Sequence, residues 1–124
     1  VSQSASQAAA FFRDLAVHRV VWQVEDEQGR PAPMTASGQR AMPFWSSRAR
    51  AQRAANLGFW GGDLRATQVP VEVWRDTDLP DLETEGLLIG INWTGPRLVG
   101  YEFTVPEVLN RIAHALKEGP YADG

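Results

Sequence analysis

Residues 42–52 read MPFWSSRARAQ, and Arg53 follows directly. Ser46, Ser47, Arg48, Arg50 and Arg53 stand within eight residues, with no acid among them. That combination suits an anion. A helix starting at the serines exposes its first backbone N–H groups and the positive end of its dipole, and the hydroxyls add donors. Guanidinium forks match carboxylate or phosphate oxygens. Arginines in a first helical turn oppose the dipole, so a bound anion would relieve a local conflict. A plainer account fits the same letters: a serine caps the helix and the arginines form a solvated face. Trp45 upstream and Phe59 and Trp60 downstream add aromatic surface of the kind that anchors interfaces. The candidate contact set is therefore Trp45, Ser46, Ser47, Arg48, Arg50, Arg53, Phe59 and Trp60.

Other chemistries find less support. The chain has no cysteine, which removes disulfides, thiolate metal sites and a cysteine nucleophile. No G-x-S-x-G elbow surrounds Ser37, Ser46 or Ser47. The glycine-rich GFWGGD lacks both the P-loop lysine and the dinucleotide fingerprint, so no cofactor is expected. The acidic run starting at Asp76 resembles a calcium loop, but its sixth and twelfth positions are Asp81 and Leu87 where glycine and glutamate are needed. His18 and His114 fall in different elements, and no metal site is expected. Asp14, Glu25, Asp26 and Glu27 offer carboxylates, yet neighbours on a strand point to opposite faces. Arginines and aromatics interleave across 44–60 in a manner suited to single-stranded nucleic acid. The formal charge of -3 and pI near 5.3 argue against that partner.

The elements that must position these residues follow from periodicity. Ala8, Phe11, Phe12 and Leu15 repeat with helical spacing, predicting a helix over 5–16 opened by a Ser4–Gln7 capping box. RVVWQVE, residues 19–25, predicts a strand. Gly29, Pro31, Pro33 and Gly38 mark a long turn, and RAMPFW a second strand near an edge, because Pro43 cannot donate to a ladder. Ser46 or Ser47 then caps a helix to about Asn56, with Ala51, Ala54 and Ala55 on one face. A brief strand is expected at 67–69, then a helix opened by Pro70 and interrupted at Pro80. GLLIGINW, residues 86–93, reads as a buried central strand, and RLVGYEF as its hairpin partner. Thr104 and Glu107 form a second capping box for a helix that stops near Gly119. The expected order is αββαβαββα. It describes an α+β (mixed α/β) fold with about five strands in one sheet and helices mainly on one face.

Composition sets the remaining bounds. At 124 residues, 44% hydrophobic and 22% charged, the chain fits one globular domain over 1–124 with flexible ends at 1–4 and 119–124. No apolar run reaches the ~20 residues of a membrane helix, and Val1–Ala10 does not read as a signal peptide, so a cytoplasmic location is expected. Five tryptophans are many for this length, and most should be core. Charge is segregated. Residues 28–62 carry Arg30, Arg40, Arg48, Arg50 and Arg53 and no acid, whereas 76–85 carry Asp76, Asp78, Asp81, Glu83 and Glu85 and no base. The plainest expectation is that the two blocks face one another, within one molecule or across a dimer. Exposed hairpin edges offer a homodimer contact.

RVVWQVEDEQGRP, MPFWSSRARA, LPDLETEGLLIGINW and TVPEVLNRIAHAL together resemble a small bacterial family catalogued as domain of unknown function 2750, over roughly residues 8–117. The resemblance implies an architecture and supplies no activity, cofactor or catalytic residue. Missing catalytic constellations, abundant aromatics and segregated charge point to a non-enzymatic binding or protein-interaction domain. The alternative is an enzyme or sensor acting on a small anionic, phosphate-bearing ligand at the helix start Ser46–Arg53.

Overall fold

A serine cap starts the chain's first helix sooner than the apolar periodicity indicates. The computed structural model describes residues 2–57 and 63–117, and in it the Ser2 hydroxyl accepts the Ala5 N–H at 3.1 Å. Helix α1 therefore spans Gln3–His18, with Ser4 and Gln7 inside it instead of forming the expected capping box. Of the ends expected to be flexible, Gln3 and Ser4 are helical, and 119–124 lie outside the described residues. Arg19 terminates α1 in the left-handed region (φ 60), its N–H bonded to the Leu15 carbonyl at 2.9 Å.

Five strands follow: β1 (Val20–Glu25), β2 (Ala41–Phe44), β3 (Arg65–Pro70), β4 (Leu88–Thr94) and β5 (Val99–Phe103). They form two sheets, where one was expected. β1 and β3 pair antiparallel from Val20↔Pro70 to Glu25↔Arg65, while β4 lies between parallel β2 and antiparallel β5. Among the described residues, a bridge between Trp22 and Trp45 is what joins them, through two reciprocal N–H···O bonds of 2.8 Å. Pro43 explains the division. Alternate residues of a strand direct their N–H groups to the same side, and Ala41 and Trp45 both donate away from β4, to Pro33 and Trp22. Pro43 sits between them on that side and has no N–H to give.

Helix α2 spans Arg48–Ala55. Pro80 does not interrupt the next helical run. α3 (Val71–Val73) passes through a π-turn at Trp74–Asp78 into α4 (Leu79–Thr84), with the Leu79 N–H on the Trp74 carbonyl. Pro80 thus occupies the first turn of α4, where a missing donor costs little. The wide turn also buries Trp74 between Phe11 and Phe44, at ring-centroid distances of 5.7 and 5.1 Å. Helix α5 (Val105–Lys117) opens on the expected capping box: Glu107 accepts the Thr104 N–H at 2.8 Å, and Thr104 accepts that of Glu107 at 3.3 Å.

Strand alternation divides the apolar residues between two cores. Val21, Met42, Phe44, Ile89 and Ile91 face α1, α3–α4 and α5, which contribute Phe11, Leu15, Trp74, Leu79, Val108 and Ile112. Val24, Ala41, Trp45 and Trp93 face α2 on the other side, under Ala51, Ala54 and Ala55. Alanines bring α2 close to the strands, and two indoles fill the layer beneath it. The class is α+β, with three helical segments on one face and α2 alone on the other. Among the described residues no helix is long and apolar enough to cross a membrane.

Candidate functional site

The serine pair ahead of α2 divides into two different jobs. Ser47 is the N-cap, extended at φ -147, and its hydroxyl accepts the Arg50 N–H at 3.2 Å. Ser46 is buried. Its hydroxyl donates to Asp14 Oδ2 at 2.8 Å and accepts from Asn92 Nδ2 at 3.2 Å, while its N–H donates to Asn92 Oδ1 at 2.9 Å. Asn92 Nδ2 also donates to the Gln7 carbonyl at 3.0 Å. One side chain therefore ties α1, the end of β2 and β4 together, with every donor and acceptor it uses paired inside the protein.

Asn92 can do this because of its backbone. It adopts φ 48 at an irregularity in the β4–β5 register between Ile91 and Thr94. Asparagine tolerates the left-handed region better than most residues. The irregularity keeps Ile91 and Asn92 on the α1 side and delivers Trp93 to the α2 side. There the indole lies across two glycines: a Cβ at Gly90 would stand 2.3 Å from Trp93 Cε2, and one at Gly100 2.6 Å from Cδ1. Trp93 Nε1 donates to the Tyr101 carbonyl at 3.0 Å, and its own carbonyl accepts from Trp45 Nε1 at 2.8 Å.

A concave site forms beside this indole. A cavity of about 240 Å³ is lined by Arg50, Arg53, Ala54, Leu57, Trp93, Thr94, Gly95 and Leu98. Leu98 is buried at φ 49 and closes the hairpin turn with its N–H on the Gly95 carbonyl at 3.1 Å. Beyond Leu98 and Trp93, a second cavity of about 330 Å³ continues between residues 33–36 and β5. Of the eight residues that the sequence pattern nominated as a contact set, Arg50 and Arg53 meet at the first cavity. Trp45 and Ser46 are core, Ser47 is a cap, Arg48 is exposed, and Phe59 and Trp60 lie outside the described residues. Sequence reasoning missed Asn92, Trp93 and Leu98. Asn92 carried a signal, as the one polar side chain inside the apolar run LLIGINW.

The charge blocks meet at one point. Arg30 grips Asp78 with two 2.8 Å bonds and gives a third to Gln23 Oε1, also 2.8 Å. Asp78, with help from Glu25 and Glu85, holds the Arg30 guanidinium above its already high ordinary pKa. Glu25 accepts from Thr67 Oγ1 at 2.6 Å and from Gln23 Nε2 at 2.9 Å, which completes a polar chain along the β1–β3 sheet. Arg75 pairs with its neighbour Asp76. No ion pair engages Arg48, Arg50 or Arg53 among the described residues. His114 lies apart, lining a groove of about 400 Å³ with Phe12, Glu107 and Arg111.

The model of the family described as Protein of unknown function (DUF2750) matches residues 8–112, most of the chain. The chain belongs to that family. No curated protein matches it.

Proposed function

We propose that this member of the family is a non-enzymatic binding domain. It receives an acidic segment of a protein partner in the groove between α2 and the β4–β5 hairpin. The observation that carries the reading is the pairing of Arg50 and Arg53 with an apolar floor of Ala54, Leu57, Trp93 and Leu98. Neither guanidinium has a carboxylate partner among the described residues. Residues three apart on a helix share a face, so the two forks present one double-cation edge. A ligand with a carboxylate beside an apolar side chain satisfies both halves of such a groove: the acid is bound bidentately and the apolar group covers Trp93 and Leu98.

The hydroxyls favour a protein segment over a small phosphate compound. The Ser46 hydroxyl spends its donor and acceptor capacity inside the fold and Ser47 accepts the α2 cap bond, which leaves the arginines as the charged anion contacts. The test is a nitrogen-15 NMR titration with an acetylated, amidated Asp-Leu-Glu peptide and, separately, inorganic phosphate. The peptide should move the Trp93 indole and the Arg50, Arg53 and Leu98 amides, and Arg50→Glu with Arg53→Glu should abolish the shifts. Shifts with phosphate alone, or peptide shifts indifferent to both reversals, would overturn the reading.

A further inference from the structure

We propose that the free edge of β5 is where two copies of this chain pair, strand against strand, about a twofold axis beside Gly100. β3 and β5 lie at the two far ends of the strand array, beyond the β1–β2 junction, and the protein treats their outer edges differently. β3 is covered: Gln52 Oε1 on α2 accepts the Ala66 N–H at 3.2 Å, and the strand ends on Pro70, which has no donor. Among the described strands, β5 hydrogen-bonds to β4 alone. Among the described residues the only other bond to its backbone comes from the Trp93 indole, at the Tyr101 carbonyl.

The side chains of that edge are apolar where they meet solvent. Val99 is 58% and Tyr101 42% exposed, and strand alternation puts them on one face. They are two of five large exposed apolar residues among those described, both on a strand of five. Lysine, proline or a bulge usually blunts such an edge; VGYEF has no lysine or proline, and the irregularity in its ladder opposite Gly100 puts the extra residue in β4, not in the edge strand. Its single charge, Glu102, is engaged by Thr35 Oγ1 at 3.2 Å.

The register follows from symmetry. A twofold perpendicular to a sheet keeps each face on its own side, so opposed residues of an antiparallel pair must both be odd or both even. With Gly100 on the axis, Val99 of each copy lies opposite Tyr101 of the other, twice. A β-branched residue against an aromatic is a favourable cross-strand pair. A shift one way sets Tyr101 against Arg97, and a shift the other way sets Val99 against the buried Phe103. Only the Gly100 register joins all four exposed apolar side chains in one cluster. The contact is isologous and closed, with three strands from each copy continuing into six. It is independent of the arginine groove.

Because the chain lacks cysteine, the register can be read by cross-linking. Directly opposed antiparallel residues are separated by distances that a disulfide spans. The intact chain should sediment at twice 13.7 kDa as concentration rises. Val99→Cys mixed with Tyr101→Cys and oxidised should give a covalent dimer, and either alone should give little. Val99→Lys with Tyr101→Lys should sediment as a monomer with an unchanged circular dichroism spectrum. A wild type that stays monomeric, cross-linking as efficient in the single variants as in the mixture, or a lysine variant that still dimerises would each overturn the proposal. Should the lysine variant misfold, cross-linking of the mixture decides.

Discussion

Gly90→Ala is the sharpest test of how the site is built, because local propensity and packing predict opposite signs. In a strand, alanine is better than glycine by about 0.5–1 kcal/mol, so the substitution should stabilise. The structure says otherwise. The added Cβ would lie 2.3 Å from Trp93 Cε2, 2.4 Å from Cζ2 and 2.9 Å from Nε1. These are rigid ring atoms under α2, so relief requires the whole indole to move. Overpacking of this kind costs about 1–3 kcal/mol. The displaced indole also loosens its 3.0 Å bond to the Tyr101 carbonyl, a further loss of about 1 kcal/mol. Packing outweighs propensity, and the net expectation is destabilisation by about 1–3 kcal/mol. At roughly 4 °C per kcal/mol for a domain of this size, Tm should fall by roughly 4–12 °C. Calorimetry with urea melts measures it, and a double-mutant cycle assigns the cause. In a Trp93→Leu background the clash is gone, and the same Gly90→Ala substitution should become neutral or stabilising. A rise in Tm for Gly90→Ala in the native background, or the same loss in both backgrounds, would refute the packing argument.

Ser47→Ala should cost about 1 kcal/mol through the lost α2 cap, and Ser47→Asp should recover most of it, by chemical denaturation. Trp45→Phe should destabilise more than Trp74→Phe: Trp45 Nε1 donates to the Trp93 carbonyl, whereas Trp74 Nε1 is buried without a partner among the described residues. The difference should be about 1 kcal/mol, the worth of one hydrogen bond; equal losses in urea melts would count against it. Glu107 is held below the ordinary glutamate pKa, first by the Thr104 N–H and then by its hydroxyl. Its contribution to stability is therefore full above the unfolded-state value and is lost as pH falls through the folded one. Carbon-13 NMR titration should find Glu107 below the ordinary glutamate range, and Thr104→Pro, which removes that N–H, should return it to that range.

What the sequence made legible was local, and what it hid depends on distant partners. The Thr104–Glu107 box, the alanine face of α2 and the apolar run of β4 are written within a few residues of themselves, and each appears where its pattern puts it. Ser4–Gln7 matched a capping box equally well, but Ser2 was available earlier and the helix took it. Pro43 correctly marked a ladder position without a donor, and β2 is an edge strand of its three-stranded sheet; that edge faces β1 across a single bridge, so the chain forms two sheets where one was expected. Pro80 looked like an interruption because periodicity cannot anticipate a π-turn that moves it into a fresh first turn. The groove was the least legible part. Arg50 and Arg53 were visible, but Trp93 and Leu98 reach them only through a hairpin some forty residues on, and Asn92 sets the indole's side by a single backbone angle.

The basic block itself shows why the groove, and not the block, supports a binding role. Its five arginines begin as one undifferentiated charge. Arg30 is taken by Asp78, and Arg40 gives a 3.1 Å bond to the Ala32 carbonyl. That leaves Arg48, Arg50 and Arg53 on α2, the helix standing alone over the second core. Isolated surface pairs are worth only about 0–1 kcal/mol, so pairing these three internally would have added little stability. Left unpaired beside an apolar floor, two of them keep full coordinating capacity for a carboxylate from outside. The segregation of charge along the chain is thus resolved once inside the protein, at Arg30, and is carried to the surface at Arg50 and Arg53, where the proposed acidic segment would supply the complement.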